Sequence, residues 1–189
     1  MPTRERRESR PWLVAPRAAG HGSPGYDALM YLDALSFLED ERDAWRPFEA
    51  LLELTDEQLE APVGGAHGWS GRDLMVHLVA WQLVALDVAK ELAVGERSPT
   101  AARIDTDWDA RGEEAVNADI QAQWADRALG DVRDAFRQVG GELRGFLTVV
   151  PESRWIKNAE FQKTFIEETL DHYEDHGADL EAILAAAPS

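Results

Sequence analysis

Leu29, Leu32, Leu35, Leu38, Trp45, Phe48, Leu51 and Leu52 recur mostly three and four residues apart, the spacing of one buried helix face. Pro47 falls inside this run. It predicts a kink near Arg46 or the start of a second segment, because proline lacks the amide proton and crowds the preceding turn. Thr55-Asp-Glu-Gln58 has the form of a capping box and predicts a short helical turn. Pro62 to Gly68 reads as a loop, after which Ser70 and Asp73 form a second capping box. The helix it opens runs from Gly71 to about Val94 and is apolar around much of its surface, so deep burial is expected; Gly95 ends it. Residues 96–106 read as a connector. A third helix is expected from about Asp107, with Val116, Ile120 and Trp124 at i, i+4 spacing, a bend near Leu129-Gly130, and a continuation through Val132, Phe136, Val139, Leu143 and Phe146 to a stop at Pro151. A fourth spans about Ala159 to Ala186, with Phe165, Thr169, His172, His176, Leu180 and Ile183 on one face.

No stretch alternates with the period of a strand, and no segment repeats. The pattern predicts an all-α four-helix bundle with a long crossover between its second and third helices. Residues 26–189 carry this bundle domain. Residues 1–25 differ in kind: five arginines stand against two glutamates among several prolines and glycines, which predicts a flexible basic leader. Its short apolar stretch does not resemble a secretory signal.

Composition narrows the function classes. The 189 residues hold 19 basic and 36 acidic side chains, a formal charge of -17, with an isoelectric point near 4.6. Such a surface repels nucleic-acid phosphates and anionic lipid, so neither partner is expected. A mean hydropathy of -0.38 and the lack of an apolar run near ~18 residues argue against a membrane span. A soluble, cytoplasmic protein is the expectation. Cysteine is absent, which removes disulfides, thiolate ligands and a cysteine nucleophile; thiol chemistry would have to arrive with a co-substrate.

Three of the five histidines are placed for chemistry. His172 and His176, four apart, project from the apolar side of the fourth helix. His77 lies in the second turn of the second helix, near Leu74, Leu78 and Trp81 on the inward face. Three neutral imidazoles from two facing helices can hold a divalent metal and leave positions open for water or substrate; Zn, Ni and Fe all accept such a set. The competing reading is that each is a hydrogen-bonded core histidine, since a His pair at this spacing also arises by chance. His21 and His67 read as surface residues.

Trp69-Ser-Gly-Arg-Asp-Leu-Met-Val-His-Leu-Val-Ala-Trp81, followed far downstream by His172-Tyr-Glu-Asp-His176, resembles the DinB-like superfamily of four-helix bundles. Gly68-Trp-Ser70, Asn117 and the terminal His-Tyr-x-x-His are most similar to its ClbS/DfsB branch. The resemblance covers roughly residues 32–184. It implies an up-down-down-up bundle, often a homodimer, and a metal triad that falls on His77, His172 and His176. Some relatives are thiol-dependent transferases or isomerases acting with bacillithiol, mycothiol or glutathione; others detoxify reactive natural products, including by ring hydrolysis. The chain shows no extra C-terminal domain of the kind that accompanies the bundle in mycothiol-dependent maleylpyruvate isomerases, and that reaction is not the expectation.

Further residues each carry a functional and a packing reading. Asp179, three after His176, can accept from its imidazole; membership of a solvated acidic face is the favoured alternative. Tyr173 is a general-acid candidate at the pocket, although its position next to His172 turns it about 100° away and favours packing. Trp81 is a candidate pocket wall and Asn117 a candidate substrate contact. Gly177 allows close approach of a ligand or helix, or is merely tolerated. These residues support an enzyme in which a metal-held thiol or water attacks an electrophilic small molecule. They also allow a metal-free binding or sequestering protein, and a structural dimer whose histidines have no chemical role.

Overall fold

The computed structural model describes residues 30–187; the predicted leader, residues 1–25, together with Leu29 and His21, lies outside them. Among the described residues the secondary structure is entirely helical, with no strand. Helix α1 (Ala34–Trp45) starts at Asp33, whose carboxylate accepts from the Ser36 amide. Pro47 then ends the α-helical geometry, and a 3-10 segment, Arg46–Glu53, takes over. Thr55 and Gln58 make the reciprocal capping box that opens α2 (Asp56–Glu60). Ser70 and Asp73 do the same for α3 (Gly71–Val94), which spans the range its pattern predicts and stops at Gly95.

The pattern of the first segment holds for Trp45, Phe48 and Leu51, which are buried, and fails at its N-terminal leucines. Leu32 and Leu35 are 76% and 65% exposed, while Phe37, Glu41 and Trp45 point inward at i, i+4 spacing. The cap at Asp33 sets the helix phase, and the aromatic pair outweighs the leucines because each ring buries more apolar area.

The connector is a second departure. It is short, and α4 (Pro99–Arg111) begins where a non-helical crossover is expected. Ser98 caps the Ala101 amide, Pro99 occupies the first helical positions, and Glu91 at the end of α3 accepts from the Thr100 amide and hydroxyl at 3.1 and 2.8 Å. Gly112, at φ 77°, breaks this helix from α5 (Glu113–Ala122). A non-helical turn, residues 123–128, separates α5 from α6 (Leu129–Leu147). The third predicted helix is therefore three.

The fourth is also subdivided: α7 (Ala159–Ile166), a π-helical turn Glu167–Asp171, α8 (His172–Asp175) and α9 (Gly177–Ala186). Gly177 follows the break at His176, and a Cβ there would meet nothing within 4 Å, so it accommodates no close neighbour.

Helix α3 is the central element and packs on α4, α5, α6, α9 and the π turn. One core cluster holds Trp45, Phe48, Leu51, Leu74, Phe136 and Tyr173; another holds Phe37, Leu86, Leu143, Trp155 and Phe165. A smaller one, Trp81, Ile104 and Val116, joins α3 to α4 and α5. Phe146, predicted inward, is 37% exposed. No helix among the described residues is long and apolar enough to cross a membrane.

Candidate metal centre

Two local devices aim the histidines. The capping box at Ser70 holds the first turn of α3, with the Ser70 amide donating to Asp73 at 3.0 Å, and His77 follows one turn later on the buried side. On the opposite element, the π turn adds a residue to the helix ahead of His172, and Thr169 within it donates to the Phe165 carbonyl at 2.6 Å. The extra residue rotates everything after it relative to α7. His172 opens α8, and His176 sits at the α8–α9 junction with φ -97° and ψ 5°.

The three rings converge. His77 and His172 approach Nε2 to Nε2 at 2.8 Å, and ring centroids lie 4.7 to 5.0 Å apart around the set. One ligand atom from each falls within 4.8 Å of the others. His77 and His176 are buried and His172 is half-buried. Burial first, and His176 second, pushes His77 well below the usual imidazole range, so the ring stays neutral with a lone pair available. Asp179 accepts from His176 Nδ1 at 2.9 Å, which leaves His176 Nε2 to face the cluster. Carboxylate support behind a ligating imidazole is the usual arrangement in metal sites. Asp179 is itself buried, at 6% exposure, and so does not belong to the solvated acidic face favoured from its neighbours in sequence. His77 Nδ1 is buried and has no hydrogen-bond partner among the described residues. Three imidazoles, neutral where burial is deepest and one of them acid-backed, fit a divalent ion of the zinc, nickel or iron type.

Trp69, which the sequence marks only as part of a motif, is stacked on His176 at 5.4 Å and edge-on to His77 at 5.0 Å. The loop behind it is tied by Val63–Trp69 and Gly68–Val63 backbone bonds, each 2.9 Å, with His67 at φ 55° and Gly68 at φ 84°. His67, read as a surface residue, is half-exposed and lies 3.8 Å from Asp179 Oδ1. The capping motif immediately after Trp69 is the signal that placed this loop beside the site.

The remaining candidates divide. Trp81 stands 6.2 Å from His172 and so borders the cluster, and it donates from Nε1 to Asn117 Oδ1 at 2.8 Å, which places Asn117 behind it. Tyr173 does not. Its hydroxyl donates to Glu41 at 2.9 Å and accepts from Gln82, while its ring packs on Trp45 and Phe48. Burial and the Glu41 carboxylate push its pKa well above the usual phenol value, which suits a structural hydroxyl rather than a proton donor. Glu41, fully buried and paired with Arg144 at 2.7 Å, is the unforeseen member of this second network.

A family model described as the mycothiol maleylpyruvate isomerase N-terminal domain matches residues 41–186. The chain belongs to this family, a DinB-like one. No curated protein and no solved structure matches it.

Proposed function

From that membership we propose that the protein is a metal-dependent small-molecule enzyme, activating a thiol co-substrate or water for transfer to, or hydrolysis of, a reactive electrophile. The observation that carries this reading is the convergence of His77, His172 and His176 within 4.8 Å in a largely buried setting. A divalent ion bound there supplies Lewis acidity, which lowers the pKa of a thiol or water toward neutrality. The chain's own residues do the rest. Asp179 orients His176, the π turn aims His172, and Trp69 and Trp81 wall the histidines with apolar surface that limits water. The lack of cysteine fits a reaction whose thiol is delivered from outside. The biological setting we propose is cytoplasmic detoxification or stress protection by a homodimeric four-helix bundle. The motifs Gly68-Trp-Ser70 and His172-Tyr-x-x-His176 support a place near the ClbS/DfsB branch.

One observation favours a second reading, a metal-free protein that binds or sequesters small molecules. His77 Nε2 and His172 Nε2 can hydrogen-bond each other at 2.8 Å, and the usual acceptor behind His77 is missing among the described residues. Elemental analysis of untagged wild type beside His172→Ala separates the two. The enzyme reading expects near-stoichiometric metal in the wild type and a large loss in the variant. No metal in either, after loading with zinc and nickel, overturns it in favour of the second.

A further inference from the structure

Helices α3 and α5 run antiparallel, and two contacts fix their register. Arg72, at the start of α3, donates to the carbonyls of Trp124, Ala125 and Arg127 beyond the end of α5. Nine residues later, Trp81 donates to Asn117 in the middle of α5. Position 72 thus lies opposite about 125 and position 81 opposite 117, which sets position 77 level with 121. Gln121 is therefore carried to the height of His77. It is one helical turn from Asn117, on the same buried face, and both side chains are only 5% exposed.

Among the described residues, neither amide has its full set of partners. The Trp81 indole can only donate, so the Asn117 oxygen must face it and the Asn117 amide nitrogen is turned the other way. That nitrogen has no hydrogen bond among the described residues, and Gln121 has no side-chain hydrogen bond there at all. The two amides keep unused hydrogen-bonding capacity on a largely buried face while their free atoms still reach solvent, so a ligand entering there can take the place of water.

We propose that Asn117 and Gln121 form the recognition wall of this site and hold an uncharged carbonyl oxygen of the small molecule bound at the histidines. The amides donate without charge, and the Arg72 guanidinium at the end of α5 is committed to three backbone carbonyls. Without a metal ion at the histidines, a carboxylate would lose hydration at this wall with no opposite charge among the two amides to offset it. Trp81 and Trp108, edge to face at 5.9 Å, provide the apolar surface on which the remainder of the ligand rests. This inference rests on the proposed function for what holds the ligand's other end.

The test is a ligand-observed NMR titration with benzamide and with its charged isostere benzoate, against zinc-loaded and metal-free protein. Metal-free wild type is expected to bind benzamide more tightly than benzoate. Asn117→Leu and Gln121→Met should each weaken benzamide by about fivefold or more, the scale of one lost hydrogen bond, with zinc content and helical circular dichroism unchanged. Equal benzamide affinity in wild type and both variants, a preference of the metal-free wild type for benzoate, or no binding of benzamide to either form of the wild type overturns the inference. A wild type that takes up no zinc yet loses benzamide binding in both variants would sink the metalloenzyme reading alone.

Discussion

Asp179 shows how much one side chain's burial changes its role. Its spacing from His176 allowed a hydrogen bond, but the many carboxylates around it made a solvated face the better expectation; the fold buries it at 2.9 Å from the ring nitrogen. Replacing it with asparagine should weaken zinc binding by about 10- to 100-fold, the usual cost of removing a carboxylate behind a ligating imidazole. Competition against a calibrated chelator measures this directly, and an unchanged affinity would remove Asp179 from the site. Glu41 makes a different case. Burial raises its pKa above the ordinary 4.5, and Arg144 and Tyr173 offset that only in part. A carboxyl with a raised folded pKa binds its proton more tightly folded than unfolded, so its contribution is complete below about 4.5 and is lost as pH climbs through the folded value. Glu41→Gln cannot ionise, so relative to wild type it should be more stable at pH 7 than at pH 4. Denaturant melts of both proteins across that range check the sign, and a difference independent of pH contradicts it.

Among the elements, the π turn Glu167–Asp171 has the clearest consequence. Helical periodicity placed Phe165, Thr169, His172 and His176 on one face, and the extra residue keeps the histidines directed inward while α7 stays packed through Phe161 and Phe165. Deleting Glu167 would restore ordinary α-helical register and turn α8 by about 100° relative to α7. The expected outcome is loss of stoichiometric metal with far-ultraviolet helical signal largely kept. A deletion variant that still binds metal would show that the turn does not position the ligands. The same scale explains where periodicity failed. Leu32 and Leu35 met the spacing rule, yet the Asp33 cap and the Phe37–Glu41–Trp45 stripe decided the phase of α1. In the connector, Ser98-Pro99 is a helix start signal inside the stretch expected as a crossover.

At the scale of the whole molecule, the histidines join α3 to the last helical run, so an ion held by them would be thermodynamically linked to the fold. Zinc at about 100 times its dissociation constant adds about 2.7 kcal/mol to stability. For a chain of this size that is a rise of about 5–11 °C in Tm. Wild type should show that shift by calorimetry and His172→Ala should show little; equal shifts would place the zinc elsewhere. The α3 boundaries, both capping boxes, the all-helical class and the inward placement of His77, His172 and His176 were legible in the chain, because each depends on spacing within one segment. What lies between segments was not. The burial of Glu41 against Arg144, the removal of Tyr173 to a separate network and the pairing of Trp81 with Asn117 depend on how helices far apart in sequence are set against each other. Local patterning determines which face of a helix is apolar. Only packing decides which polar side chains on that face find one another, because their partners lie up to 132 residues away along the chain.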